Sequence, residues 1–206
     1  MEGIKSSANN TMPAFKDVVA FHGHACPGLA FGFRASEAAL LNLGDRSMDE
    51  ELVAVVENMS CAVDAIQVVT GCTLGKGNLV IQDYGKQVYT FQKRPSGEGI
   101  RIAVKWQSSP EDSAVQETWK RFSSGDRSPE VMRIIKARKS EKMQEILKAD
   151  LTDLFTINHI TTDLPESAQV YPSLLCSKCG EKVMEPKAKI TGKTILCLPC
   201  AKKVSA

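Results

Sequence analysis

Four cysteines near the end of the chain form two close pairs, Cys176-x2-Cys179 and Cys197-x2-Cys200, which seventeen residues separate. Two such pairs, each on a tight turn, can place four sulfur atoms in a tetrahedron at about 2.3 Å from one zinc ion. A segment this short buries too little apolar surface to fold alone, so we expect a metal ion to hold it together. Four protein ligands leave no open coordination position, which predicts a structural zinc. Two disulfide bonds are the alternative, although nothing else in the sequence indicates an oxidising compartment.

The second cysteine pair indicates the type of finger. Pro199 lies inside this pair, and residues 201–204 are typical of a single helical turn. A pair that opens a helix predicts a treble clef, whereas two pairs on hairpin turns would predict a zinc ribbon. Between the pairs, Lys182–Met184 and Thr194–Leu196 predict two short strands joined around Gly192. The finger carries seven lysines but no arginine and no aromatic residue, so a solvated surface is favoured over a nucleic-acid interface.

A second group of metal-binding residue types lies near the start of the chain, at His22, His24 and Cys26. In an extended segment, residues two apart share a face, so these three side chains are expected to point the same way. Imidazole and thiolate together suit zinc or another borderline-soft transition metal. Pro27 is a good first residue for a helix, which makes Cys26 its N-cap and favours the thiolate through the helix dipole. The three residues are therefore candidates for catalysis or metal binding.

Two further core cysteines also lie near predicted helix ends. Cys61 begins a helix and Cys72 follows its end, so both are candidates for a second metal site, the alternative being small buried hydrophobes. Asp64 lies one turn after Cys61 and is placed to orient a ligand or a base. The stretch Gly71–Gly77 is not a Walker phosphate loop, because it runs from helix to strand and a glycine follows Lys76. Lys76 remains a weak candidate for anion binding, against the alternative of a plain connector.

Length and composition restrict the class of protein. The chain of 206 residues suits one domain of about 150 residues with a small appendage. A hydrophobic content of 43% and a net charge of +2 give no argument for a nucleic-acid or membrane partner. No apolar window is long enough to span a membrane, and the polar start lacks the apolar region of a signal peptide. Seven cysteines in such a chain predict a location in the reducing cytoplasm.

The elements that must position these residues are readable from apolar periodicity and glycines. The order helix, strand, helix and three strands predicts an α+β core with an αβαβββ order, in which helices pack on one face of a mainly antiparallel or mixed sheet. The helices are predicted at Gly28–Leu43 and Cys61–Val69, and the strands at Leu52–Val56, Asn78–Tyr84, Val88–Lys93 and Ile100–Trp106. In the last strand, isoleucines alternate with polar residues, which is typical of an antiparallel strand with one wet face.

The second half of the core is predicted to be mainly helical. Helices are expected at Asp112–Phe122 and from Pro129 to Lys148, followed by a strand at Leu154–Ile160. The second of these helices is polar all round in its middle, as in a solvated helix. A linker containing proline follows at Thr161–Leu175. The predicted domains are a core at residues 14–162 and a linker with the finger at residues 163–206.

Three blocks of sequence, in this order, resemble the FmdE family, which takes its name from a component of formylmethanofuran dehydrogenase. The blocks are residues 22–29 with Gly32 and Arg34, then Cys61–Gln67, then Thr70–Leu79. The resemblance implies an αβαβββ core, a homodimer, an optional C-terminal zinc finger and an accessory or metal-binding role. Formylmethanofuran dehydrogenase acts in methanogenesis from CO2 with clusters and a pterin in other subunits. This chain has no ferredoxin cysteine spacing, so it cannot perform that reaction alone.

Three hypotheses of function follow from these residues. The first is a cytoplasmic, dimeric metal-binding protein with a structural zinc and a core transition metal of unknown identity, held by Cys26, Cys61 and Cys72 with His22 or His24. The second is a thiol enzyme in which Cys26 is the nucleophile and a histidine is the base. The third is a non-catalytic adaptor that docks onto a larger oxidoreductase. Whether the chain is an enzyme stays open at this point.

Overall fold

The computed structural model describes residues 12–203, which form two compact units that divide between Ser167 and Ala168. The sequence-based boundary, between residues 162 and 163, falls slightly earlier. Within the described residues, none of the helices combines the length and the apolar character that crossing a bilayer requires.

The first unit contains six helices and five strands among its described residues. The helices are α1 (Phe15–His22), α2 (Pro27–Leu43), α3 (Cys61–Thr70), α4 (Ser113–Ser123), α5 (Pro129–Lys148) and α6 (Leu151–Leu154). The strands are β1 (Leu52–Val56), β2 (Leu79–Ile81), β3 (Val88–Lys93), β4 (Glu98–Val104) and β5 (Phe155–Thr161). The succession α2, β1, α3, β2, β3 and β4 confirms the predicted αβαβββ order.

The five strands form one sheet in the order β2-β1-β3-β4-β5. The strands β1 and β2 are parallel because α3 connects them, and every other neighbouring pair is antiparallel. In register, Ala54 lies opposite Phe91, and Phe91 lies opposite Ile100. The sheet is therefore mixed and mainly antiparallel, as predicted.

One face of this sheet carries the apolar core. Ala54, Phe91 and Ile100 are fully buried there, together with buried residues of α2, α3 and α5. On the opposite face, Arg101 of β4 forms an ion pair with Glu57 at 3.1 Å. The alternation of β4 between isoleucines and polar residues thus has the predicted meaning, with one side packed under helices and the other side polar.

Helices α2 and α3 pack unusually closely because α2 carries a glycine at the contact. A Cβ atom on Gly32 would overlap the backbone of Ala62, near the start of α3. Only a residue without a side chain permits this approach. The close packing fixes the N-terminal ends of α2 and α3, and both ends carry a cysteine.

Arg34 of α2 holds the C-terminal end of α5. Its guanidinium donates hydrogen bonds to the carbonyl oxygens of Leu147 at 2.8 Å and of Ala149 at 2.7 Å. Carbonyl groups at the end of a helix have no partner inside the helix, and a cation there also complements the helix dipole. Arg34, which belongs to the family-like sequence block, therefore has a structural task.

Two predictions about the core were wrong. Residues around His22 do not form an extended segment, because α1 ends at His22 and Gly23 turns the chain with a φ of +93°. The strand predicted at Asn78–Tyr84 is confined to Leu79–Ile81. Asn78 uses its buried side-chain amide to donate a hydrogen bond to the carbonyl oxygen of Leu52, so it acts as a connector and not as a ladder residue.

The second unit contains two hairpins and a short helix. The strands β6 (Ser173–Leu175) and β7 (Lys182–Met184) pair with each other, and β8 (Ala188–Thr191) pairs with β9 (Thr194–Cys197). The expectation that β7 pairs with β9 was wrong, because the predicted linker contains the true partner of β7. Helix α7 (Leu198–Lys202) begins directly after Cys197, so the second cysteine pair opens a helix, as a treble clef requires. Residue 204 of the predicted turn lies outside the described residues.

Candidate metal centre

His22 and His24 lie together because the chain reverses between them. His22 is the last residue of α1, and the N–H of Gly23 closes the helix on the carbonyl oxygen of Val19. The ring centroids of His22 and His24 are 4.5 Å apart. The His22 side chain is half-buried, whereas His24 is exposed. The two imidazoles therefore meet through a helix end and a glycine turn, and not through the alternation of an extended strand.

The two core thiols come from the starts of two helices. Cys26 is the N-cap of α2, with Pro27 as the first helical residue, and its Sγ accepts a hydrogen bond from the N–H of Leu29 at 3.4 Å. Cys61 is the first residue of α3. Gly28 lies between them, and a Cβ placed there would be 3.4 Å from the Cβ of Cys61. The small residue at this position lets both thiols share one pocket of space.

His22, His24, Cys26 and Cys61 converge on one place. One donor atom of each residue lies within 4.8 Å of the donor atoms of the other three. Two nitrogens and two sulfurs at such distances match the ligand set of a tetrahedral zinc site. The structure thus brings together four of the five core residues that the sequence proposed as ligands.

Asp64 fixes the orientation of His22. The Nδ1 atom of His22 lies 2.7 Å from a carboxylate oxygen of Asp64, which is on the first turn of α3. The other ring nitrogen, Nε2, is buried and has no hydrogen-bond partner among the described residues. A neutral imidazole whose Nδ1–H donates to a carboxylate presents a free lone pair on Nε2, and this is the usual arrangement of a metal-ligating histidine. The residues present therefore fit a metal ion.

The electrostatics of the two thiols depend on their closeness. Burial raises the pKa of Cys61, and the neighbouring Cys26 raises it further. Two adjacent thiols without a cation resist ionising together, whereas a bound metal cation removes the proton from a coordinating thiol. Metal binding at this place therefore releases protons.

A solvent-accessible cavity of about 440 Å³ reaches this group of residues. Its lining includes His22, Cys61 and Asp64, beside Ser60 and the exposed Met59. The volume lies within the range of small-molecule sites. A small molecule can therefore approach the His22 and Cys61 side chains from solvent.

Cys72 and Lys76 lie outside this group. Cys72 follows the C-terminal end of α3 and Cys61 begins it, so a ten-residue helix of about 15 Å separates them. The Cys72 thiol is fully buried and donates to the carbonyl oxygen of Leu52 at 3.3 Å, and burial raises its pKa to about 11. The Lys76 ammonium lies 3.4 Å from the carbonyl oxygens of both Ser47 and Met48. The structure gives both residues local packing contacts and does not bring them to the metal-binding residues.

A contribution of α5 was missed from the sequence. This helix was interpreted as solvated, yet Ile135 and Met143 are buried and line a cavity that includes Cys26. Their spacing of eight residues places them on one helical face. That apolar spacing was the available signal, and the polar residues between them obscured it.

The four cysteines of the finger also converge. One sulfur of each lies within 4.8 Å of the other three. The Sγ of Cys176 accepts a hydrogen bond from the N–H of Cys197 at 3.4 Å, and backbone amides at Cys179, Cys197 and Lys178 lower its pKa to about 6. A thiolate stabilised by backbone N–H groups is a ready metal ligand. The arrangement supports zinc binding by the finger.

Comparisons with known proteins agree with both units. Residues 170–206 match a family described as the prokaryotic dksA/traR C4-type zinc finger. A solved structure of an FmdE-like protein from Syntrophus aciditrophicus, described as belonging to a tungsten formylmethanofuran dehydrogenase, shares the fold. Its TM-score is 0.60 at 23% identity, over 95% of this chain and 99% of that one.

The sequence relatives place the larger unit in a family. A protein of Archaeoglobus fulgidus named as a probable S-adenosyl-L-methionine-binding protein is 31% identical over 192 residues. That match covers 88% of this chain, which spans only 50% of the relative. Residues 21–156, most of the chain, match the family described as FmdE, molybdenum formylmethanofuran dehydrogenase operon. The chain therefore belongs to the FmdE family and carries a C-terminal C4-type zinc finger.

Proposed function

We propose that the larger unit binds a transition metal ion through His22, His24, Cys26 and Cys61. The observation that carries this proposal is the state of the His22 ring. Its Nδ1 is engaged with Asp64, its Nε2 is buried without a partner among the described residues, and two thiols lie beside it. An orphaned buried nitrogen costs free energy unless a ligand satisfies it. In this proposal Nε2 is the ligand atom, and Asp64 holds the ring in the required tautomer.

The donor set favours zinc, or another borderline-soft divalent ion, over magnesium or calcium. Two sulfurs and two nitrogens are poor ligands for hard cations, which prefer oxygen. When bound, such an ion supplies Lewis-acid chemistry if one of its positions opens to a substrate. His24 is the ligand most suited to exchange, because it is exposed and lies in the turn between two helices. The chain's own part is to orient His22 through Asp64 and to hold both thiols at helix starts.

In the finger we propose a zinc ion with a structural role. All four of its candidate ligands come from the protein, so no coordination position is left for a substrate. The finger has a small apolar cluster, built around the cysteines themselves with Val183 and Leu196. Folding of such a unit depends on the free energy of metal binding.

Thiol chemistry at Cys26 is the second candidate function. The N–H of Leu29 donates to its sulfur, and a thiol at a helix start is favoured as a thiolate. Here His22 or His24 would act as the base, and Cys61 would be the resolving thiol within reach. The two candidates make opposite predictions, because a tightly bound metal protects Cys26 from alkylation and metal removal exposes it.

We also propose a reducing cytoplasmic location and assembly as a homodimer or with a larger oxidoreductase. All seven cysteines are free thiols, which fits a reducing compartment. The assembly rests on the family resemblance, and an adaptor role would use the same surfaces.

X-ray absorption at the metal edge tests the core site. The sample is the full chain with Cys197→Ser and Cys200→Ser, which removes two ligands of the finger and leaves the core ligands in place. We expect two sulfur neighbours at about 2.3 Å and two nitrogen neighbours at about 2.0–2.1 Å. A preparation without metal, or a spectrum with oxygen neighbours alone, would contradict the proposal. The further substitution Cys61→Ser should reduce the sulfur count from two to one.

A further inference from the structure

A cavity of about 480 Å³ opens beside the candidate metal centre, next to α4 and α5. Cys26 and His24 form part of its lining, so it adjoins two of the residues proposed as metal ligands. Its volume suits a small organic ligand. Neither the metal proposal nor the family assignment accounts for this cavity.

The remaining lining comes mainly from one face of α5. Met132, Ile135, Lys136, Lys139 and Met143 recur at helical spacing, so they lie along one side of the helix. Ile135 and Met143 are buried and give the cavity an apolar wall. Phe122 of α4 adds an aromatic surface.

The two lysines of this face have no carboxylate partner among the described residues. The Lys139 ammonium lies 5.0 Å from the centroid of the Phe122 ring, and no ion pair involves Lys136 within the described part of the chain. Other cations of α5 are compensated: the Lys142 ammonium lies 2.6 Å from a carboxylate oxygen of Glu111. None of the described residues that line the cavity is acidic. The cavity therefore combines an apolar wall with uncompensated positive charge.

We propose that this cavity binds a small organic anion, a carboxylate or a phosphate ester with an apolar body. The anionic group lies at Lys136 and Lys139, where it supplies the missing counter-charge. The apolar body packs against Ile135, Met143 and Phe122 and reaches the edge of the metal centre. That this anion is the substrate of the metal centre rests on the proposed function, whereas the binding of the anion does not.

The test uses the full chain and the anionic probe anilinonaphthalene sulfonate, displaced by three octyl compounds that differ in their charged group. Octanoate and octyl phosphate represent the two anion classes, and octyltrimethylammonium is the cationic control. We expect at least one octyl anion to displace the probe and the cation to fail. The stronger of the two anions identifies the headgroup class. Displacement by the cation as strong as by either anion would overturn the proposal.

Charge-removal variants locate the site. Lys136→Gln with Lys139→Gln should weaken the better anion by roughly tenfold, because the charge-assisted contacts are lost. Both side chains are exposed, so the fold tolerates the change. Lys148→Gln removes the same charge from an exposed position of α5 outside the cavity and should leave affinity unchanged. Equal affinity in the double variant and the parent chain would overturn the proposal.

A last variant separates this inference from the proposed metal centre. Cys26→Ala with Cys61→Ala removes two metal ligands and leaves the lysines and the apolar wall in place. Retained anion binding with lost core metal supports an anion site that stands without the metal. A chain with core metal present and no anion binding refutes the anion site alone.

Discussion

The Nδ1 atom of His22 lies 2.7 Å from a carboxylate oxygen of Asp64, although the two residues are 42 positions apart in the chain. The contact joins the last residue of α1 to the first turn of α3. Because α3 also begins with Cys61, one helix start supplies both a thiol and the carboxylate that orients a histidine. The proposed metal centre depends on this arrangement.

Removal of the Asp64 charge should weaken the core metal without unfolding the protein. In Asp64→Asn the side chain keeps its size but loses the carboxylate that accepts from His22. We expect the metal affinity of the core site to fall by roughly 10–100-fold. Competition with a chromophoric chelator measures this, with the finger cysteines left intact as an internal reference. The matched control is Asp45→Asn, an exposed aspartate outside the site. Equal affinity in both variants would refute the orienting role.

A methyl group at Gly32 should separate the two helices that carry the thiols. In Gly32→Ala the new Cβ overlaps the backbone of Ala62, so α2 and α3 must move apart. Overpacking of this kind lowers the free energy of unfolding by about 1–3 kcal/mol. We also expect weaker core metal binding, because Cys26 and Cys61 belong to those helices.

Urea unfolding and metal titration of the same variant test this prediction. Gly75→Ala is the control, since a Cβ at Gly75 meets no atom within 4 Å and the residue does not have a positive φ. If Gly32→Ala proved as stable as Gly75→Ala, the close helix contact would not constrain the site.

Loss of the Arg34 guanidinium should release the end of α5. Arg34→Met removes two charged hydrogen bonds to the carbonyl oxygens of Leu147 and Ala149. We expect the free energy of unfolding to fall by roughly 2–3 kcal/mol, since buried carbonyls are left without partners. Thermal or urea unfolding measures this against Arg133→Met, an exposed arginine of α5. A difference below the error of the measurement would count against the helix-end role.

Cys72 should resist alkylation in the folded protein. With a pKa of about 11, its thiolate fraction at pH 8 is about one in a thousand, and the thiol is fully buried. The reaction with iodoacetamide should therefore wait for unfolding and accelerate as the pH rises towards the pKa. Mass spectrometry of the Cys72 peptide, with and without urea, reads this out. Labelling in native buffer at the rate of a free cysteine peptide would contradict the packing that the structure gives it.

The α+β core was predictable because its signals are local. β-branched runs marked β1 and β3, and Gly44 and Gly71 marked the ends of α2 and α3, as the structure bears out. Helix α1 was missed because eight residues carry a weak periodic pattern and the His-Gly-His turn was interpreted as extended. Strand β6 was missed because three residues carry no reliable pattern of their own.

The candidate site was predictable only as a set of residue types. Its convergence depends on the α2–α3 contact at Gly32 and on the turn at Gly23, and both are tertiary features that spacing does not reveal. The placement of Cys72 was different. A cysteine beyond the far end of a ten-residue helix cannot meet one at its start, so helix length alone gave a reason to omit it.

The ratio of metal to protein tests the central claim most directly. Elemental analysis of the full chain should give a ratio near two, one ion in the finger and one at the core. Cys26→Ala with Cys61→Ala should lower the ratio to near one, and the same loss should follow when Cys197→Ser and Cys200→Ser disable the finger instead. A ratio near one in the parent chain that the core substitutions leave unchanged would contradict the core metal centre.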